Sequence, residues 1–270
     1  MGAISLRYWS TGPENPPVIL LHGFTGNGRS WSRVAAKMRP ERTVVAVDFP
    51  GHDGRTRPAT IYHDWNGVID ALALAIRKAH LHESYLVGYS LGGRVALGLL
   101  VEHPDLFVGG TLIGASAGLR NPAERAERRA QDQALIDLLT NEGIEAFVEQ
   151  WESLPLFASQ ARVPKLWLDE QRACRLAHDA EALAGSLRTL GLGVMPDYWD
   201  RLGEIEVPVH VVAGEEDEKF RRIGQSMAAK IPRGSYGIVA QSGHNIPLEA
   251  PEQIASLIET NLKQKEGIPL

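Results

Sequence analysis

The chain has 270 residues, more than one average domain requires but within reach of an α/β fold built as one unit with an inserted piece. Hydrophobic residues at 44% and charged residues at 23% fall in the ordinary globular range, which excludes disordered and fibrous classes. The net charge of -5, from 28 Lys and Arg against 33 Asp and Glu, offers no overall attraction to a phosphate backbone or an anionic lipid surface, so neither nucleic acid nor membrane is an expected partner.

The first third alternates short β-branched or aliphatic runs with helical stretches. Residues 4–10 predict an edge strand, 18–22 a strand, 31–38 a helix, 43–48 a strand, 63–79 a helix and 85–89 a strand. A helix over 91–102, stopped by His103-Pro104, leads to a strand over 109–114. Such alternation predicts right-handed crossovers and a mostly parallel sheet. From 115 to 200 the strand signals cease, and amphipathic segments at 123–139, 144–151, 168–178 and 180–190 predict helices. Strands resume at 207–213 and 235–240, and 251–263 reads as a last helix with Pro251 near its first turn. The expected organisation is an α/β core of 1–114 and 201–270 with a helical cap of 115–200 inserted in it.

Cys174 is the only cysteine, so no intramolecular disulfide and no cysteine-rich metal site can form. The amino terminus lacks a basic stretch leading into an apolar core, and no apolar run approaches the roughly 18 residues of a membrane span. A cytoplasmic protein is expected, as a monomer or small homo-oligomer.

Gly88-Tyr89-Ser90-Leu91-Gly92 follows an apolar run and opens a helix, the strand-turn-helix context of a nucleophile elbow. A tight turn there would project Ser90 from the sheet, and the small flanking residues would let backbone pass closely. A glycine-rich turn with a serine cap is the plainer reading. A serine hydroxyl needs an imidazole to accept its proton and an acid to fix that imidazole, and on this topology both follow the serine on loops after later strands. Asp217 and His244 stand in those places. Glu215 and Glu216 compete with Asp217. Among the other histidines, His210 lies inside a strand and is expected in the core, while His80, His82 and His178 fall on or beside helices and are expected in solvent. Backbone N–H groups of Leu91, at the helix start, and Phe24, in the loop His22-Gly23-Phe24-Thr25-Gly26, are candidates to stabilise developing negative charge.

That loop also runs Gly23 to Ser30 with the spacing of a phosphate-binding loop, and Asp48 would serve as its acid. Arg29 stands where the compact lysine is required, which argues against a nucleotide hydrolase. Arg94, one helical turn past Ser90, is a cation near the positive end of a helix expected to be buried, so it needs an anion: an acid from the insertion or a substrate carboxylate. No histidine pair has metal-ligand spacing, and no metal or organic cofactor is expected.

His22-Gly23-Phe24-Thr25-Gly26, Asp48-Phe49-Pro50-Gly51-His52-Asp53 and the elbow together resemble the α/β-hydrolase superfamily over nearly the whole chain. The elbow extended to Arg94, the stretch from Trp151 to Phe157, Leu187 to Gly191 with Pro196 and Trp199, and Gly214 to Phe220 are similar to the 2-succinyl-6-hydroxy-2,4-cyclohexadiene-1-carboxylate synthase family, menaquinone-pathway lyases that remove pyruvate from a polyanionic carboxylate. The resemblance implies an α/β-hydrolase fold, a triad of Ser90, Asp217 and His244, carboxylate-binding arginines at Arg94, Arg175 and either Arg128 or Arg125, and further pocket positions at Tyr89 and Trp151. The same triad would serve a hydrolase of carboxylic esters or carbon-carbon bonds, and a catalytically silent binding protein is the third class to separate.

Overall fold

The computed structural model describes residues 4–52 and 63–266. Asp53, one of the residues carrying the resemblance, and the first three residues lie outside that range. Seven strands form one sheet in the order β1-β3-β2-β4-β5-β6-β7. They are β1 (Ser5–Ser10), β2 (Glu14–Leu21), β3 (Arg42–Asp48), β4 (Ser84–Tyr89), β5 (Phe107–Ile113), β6 (Val209–Gly214) and β7 (Gly234–Val239). Only β1 is antiparallel, paired to β3 as an edge; every other pairing is parallel.

Parallel strands covered on both faces need apolar side chains on both, which is why 18–21 and 44–47 read as unbroken apolar runs rather than alternating ones. Ile19, Leu21, Val45, Val47 and Leu86 point to a core shared with α2 (Trp65–Lys78) and α3 (Leu91–Glu102). Their neighbours Val18, Leu20, Val44, Ala46 and Val87 point to the other face, against α1 (Ser32–Ala35) and α10 (Pro251–Glu266).

Between β5 and β6 the chain forms α4 (Pro122–Asn141), α5 (Gly143–Glu152), α6 (Lys165–Leu176) and α7 (Ala180–Leu190), with a 3₁₀ segment Pro155–Arg162. These helices hold a small cluster of their own, Ile136, Leu139, Phe147, Val148, Leu183, Ala184 and Leu187, against which Phe24 of the sheet-edge loop also packs. The longest of them, α4, buries only Asp132, Ile136 and Leu139. At roughly 1.5–3 kcal/mol for each buried aliphatic side chain, α4 is held down far less firmly than any central strand.

Two elements differ from expectation. The helix predicted over 31–38 is split into a 3₁₀ turn Gly28–Trp31 and the short α1, because Asn27 and Ser30 cap each other across the turn and the Gly28 N–H is captured by Asp48 Oδ1 at 2.5 Å. Asp48 thus has a structural partner where a phosphate-loop reading needs a metal-binding acid. The helix α8 (Glu218–Ala228) follows β6 unannounced, since its charged sequence buries only Gly224, Met227 and Ala228. Asp217, which accepts from the Phe220 N–H as its N-cap, was the available signal. The short α9 (Ile246–Glu249) precedes α10.

Candidate active site

Ser90 sits between β4 and α3 with φ +52° and ψ -110°, a backbone that a residue with a Cβ adopts only under constraint. The constraint is visible on every side. The Ser90 N–H donates to the Ile113 carbonyl at 2.8 Å. A Cβ added at Gly88 would lie 2.2 Å from the Gly92 carbonyl oxygen, and one at Gly92 would lie 2.1 Å from that of Leu21. Both glycines are therefore dictated by close backbone approach, not by a generic turn.

Ser90 Oγ lies 3.0 Å from His244 Nε2, and His244 Nδ1 lies 2.7 Å from Asp217 Oδ2. The imidazole and its acid are nearly sealed from water, His244 at 3% and Asp217 at 8% exposure. With the carboxylate ionised, Nδ1 carries the proton and donates, leaving Nε2 to accept from the serine hydroxyl. Asp217 is steadied by its other oxygen, which caps α8, and the imidazole is flanked by the rings of Phe220 at 4.5 Å and Tyr89 at 5.5 Å. The competing acids are spent elsewhere: Glu215 accepts from the Gln241 N–H, and Glu216 pairs with Arg162 at 2.7 Å. Glu249 was missed by sequence reasoning. Its carboxylate accepts from the N–H groups of Gly243 and Asn245, at 2.7 and 3.0 Å, and so holds the residues on each side of His244.

Leu91 opens α3, so its N–H belongs to the first helical turn, where backbone donors have no intrahelical acceptor. Phe24 follows the neighbouring strand β2, its ring edge-on to Trp151 at 5.3 Å and to Phe147 at 6.1 Å. Gly23 makes room for Tyr89, whose Cε1 would be 2.6 Å from an added Cβ. Burial, then the nearby Glu249, holds the Tyr89 phenol far above its ordinary range, so it stays neutral.

Arg94 forms no ion pair with a carboxylate among the described residues, although the charge of Asp132 acts on it from farther off. Its Nη1 donates to the Leu190 carbonyl at 2.8 Å and stands 3.9 Å from Met195 Sδ, with the Trp65 ring 5.9 Å away. Burial and then the charge of Arg128 push its pKa down to about 9. Arg125 is committed to the carbonyls of Met195 and Leu119, at 3.1 and 2.7 Å, whereas Arg128 pairs with Asp132 at 2.8 Å and adds to the positive field at Arg94. Arg175 donates to Glu152 at 2.9 Å and to Thr25 Oγ1 at 3.3 Å, over the Phe157 ring. Trp151 is wedged between Phe24, Phe147 and Phe157, and its indole N–H is buried without an acceptor among the described residues. A cavity of about 550 Å³ runs alongside, lined by Tyr89, Phe157, Arg175 and Asn245 together with Arg29 and Arg33; neither Ser90 nor His244 is in its wall.

Two histidine expectations are corrected. His178, expected in solvent, is 6% exposed and its Nε2 lies 3.0 Å from the Thr25 carbonyl. His210, expected in the core, is only half-buried and bonds to Ser235 Oγ at 2.7 Å. Among the described residues no three His, Cys, Asp or Glu side chains group to hold a metal ion, and no helix is long and apolar enough to cross a membrane.

A seven-stranded, mostly parallel sheet with an elbow serine, an acid and a histidine beyond the ends of β4, β6 and β7 defines an α/β-hydrolase-type enzyme. The chain belongs to the Alpha/beta hydrolase family, whose sequence profile matches residues 18–257. Within it, the chain is similar to the 2-succinyl-6-hydroxy-2,4-cyclohexadiene-1-carboxylate synthase of Salmonella heidelberg, with 30% identity over 93% of this chain and 95% of that protein. A Bacillus subtilis relative given the same name provisionally is 35% identical over 89% of this chain and 88% of its own. The solved structure of MenH from S. aureus superposes with a TM-score of 0.92 at 32% identity, covering 97% of this chain and 98% of that one. A thermophilic esterase from Thermogutta terrifontis shares the fold, with a TM-score of 0.82 at 24% identity over 97% and 94% of the two chains.

Proposed function

We propose that this enzyme is a cytoplasmic lyase that eliminates pyruvate from 2-succinyl-5-enolpyruvyl-6-hydroxy-3-cyclohexene-1-carboxylate, giving 2-succinyl-6-hydroxy-2,4-cyclohexadiene-1-carboxylate. The observation that carries this reading is a proton relay, Ser90 to His244 to Asp217, with an arginine one helical turn behind the serine that forms no ion pair with a carboxylate among the described residues. The named relatives support the pathway.

In this reading Ser90 Oγ, its own proton passed to His244 Nε2, takes the ring C2 proton beside the succinyl ketone. The C2–H electron pair forms the C2–C3 double bond, the old C3–C4 double bond moves to C4–C5, and the C5–O bond breaks to release the enolate of pyruvate, which takes the proton held on His244 Nε2 and so resets the relay. No acyl-enzyme forms. The ketone oxygen gains negative charge as the C–H bond breaks, and the N–H groups of Phe24 and Leu91 are the donors that would meet it. Arg94 and Arg128 from one side and Arg175 from the other would neutralise substrate carboxylates and hold C2 near the base, with Tyr89 and Trp151 closing the pocket. The inserted helices serve as a lid over residues 1–114 and 201–270. No metal or organic cofactor enters any step.

Purified protein given the intermediate should release pyruvate stoichiometrically. An ester hydrolase would instead acylate Ser90 with an activated ester and tolerate Arg94→Ala, whereas the lyase should lose its anionic substrate with that change.

A further inference from the structure

Beneath the loop that carries Phe24, three buried imidazoles stand in a row and take no part in the relay. His22 and His52 are 5.0 Å apart between ring centres, His52 and His178 5.4 Å. Their partners fix their tautomers. The His22 Nδ1–H donates to the Gly23 carbonyl at 2.8 Å while Nε2 accepts from the Phe49 N–H at 3.1 Å. His52 Nε2 accepts from the Thr25 N–H at 3.4 Å. His178 Nε2 faces a carbonyl, that of Thr25, so it must carry the proton and donate.

All these contacts converge on Thr25, whose φ of +66° is costly for a β-branched residue and persists only where the surroundings impose it. Each of its polar groups is held: the N–H by His52, the carbonyl by His178, and Oγ1 by Arg175 Nε at 3.3 Å. The first of these comes from the sheet edge. The other two come from the last turn of α6 and the residue two beyond its end, that is, from the inserted helices. The turn itself closes by Gly26 N–H to the Gly23 carbonyl at 3.0 Å, with Phe24 in the middle of it.

We propose that His178 is a positioning residue: by donating to the Thr25 carbonyl from the inserted helices, it holds the 23–26 turn in its strained form and so keeps the Phe24 N–H aimed at the charge developing on the substrate. Docking of the lid and assembly of the oxyanion donor are then one event. The catalytic consequence rests on the function proposed above; the conformational one does not.

The test compares H178F, which keeps an aromatic ring and removes the donor, with H178Q, whose side-chain N–H reaches the place of Nε2. Pyruvate release gives kcat and KM, and amide hydrogen exchange reports on residues 23–28. H178F should lower kcat about tenfold to a hundredfold, with KM within about twofold and faster exchange in the turn, since mis-aiming one oxyanion donor costs part of its full contribution. H178Q should restore both. Equal behaviour of the two variants, or a change confined to KM, would overturn the proposal. If the wild-type protein releases no pyruvate, the proposed reaction fails while the exchange comparison still decides the positioning role, with equal exchange rejecting it. Should H178F lack a cooperative thermal transition, H178L replaces it under the same criteria.

Discussion

Ser90 reaches the candidate site on a backbone bent to φ +52° and walled by the peptide groups of Leu21, Gly92 and Ile113, whereas Arg175 reaches it from a helix, its guanidinium shared between Glu152 and Thr25. At the sheet edge, position is enforced by hard contact between backbones. In the inserted helices it is enforced by exchangeable polar bonds, and two of the arginines that would bind substrate, Arg128 and Arg175, already hold internal carboxylates. Under the proposed function the difference amounts to a division of labour: the edge would fix the proton chemistry, and the inserted helices would present charges that a polyanionic substrate recruits by displacing or sharing Asp132 and Glu152.

The comparison breaks most visibly at Gly92. Gly92→Ala forces a Cβ onto the Leu21 carbonyl oxygen and should destabilise the fold by more than about 4 kcal/mol, or abolish folding, in urea titration. Gly143→Ala, in the inserted region at φ +86° with open space around it, should cost only about 1 kcal/mol, from backbone strain alone. Equal losses would erase the distinction between the regions.

Next in size is Arg94→Ala. It should reduce kcat/KM for the polyanionic substrate by about a hundredfold, the scale of a charge-assisted bidentate contact, without altering acylation of Ser90 by a neutral activated ester. A proportionate fall in both would make Arg94 a structural cation. Glu152→Gln removes the acid that holds Arg175 and should have a smaller effect, a KM lowered severalfold as the guanidinium becomes available to the substrate.

Acid stability sharpens the contrast further. Burial lowers the His22 pKa from 6.5 to about 3 and that of His52 well below 6.5. Above pH 6.5 both are neutral whether folded or not and contribute nothing. Below it, the unfolded chain binds protons that the folded one refuses, so stability falls as pH drops from 6.5 toward 3. The urea midpoint should decline over that window, and His52→Gln should shallow the dependence by about one proton; an unchanged slope would contradict it.

Most of the sheet and the elbow were legible because their signals are local. β-branched runs, glycines beside a serine and strand-end loops lie within a few residues of one another, and Ser90, Asp217 and His244 do meet. What escaped notice depends on distant partners. His178 looks solvated by its helical neighbourhood until Thr25, 153 positions away, is brought against it. Glu249 carries no local signal for its bonds to the Gly243 and Asn245 N–H groups, and the sequence leaves Arg125 and Arg128 open, the first being bonded to backbone carbonyls and the second to Asp132 in the fold. The helix α8 was missed because most of its residues are polar or charged, although Phe220, Ile223 and Met227 do recur at helical spacing and Gly224, Met227 and Ala228 are buried.

The most direct measurement is pyruvate release from the enolpyruvyl intermediate by wild-type protein and by Ser90→Ala, with folding of both checked by thermal unfolding. Wild type should turn the intermediate over, and the variant should retain less than about a thousandth of that rate. A folded Ser90→Ala protein releasing pyruvate at the wild-type rate would contradict the assignment of Ser90 as the base.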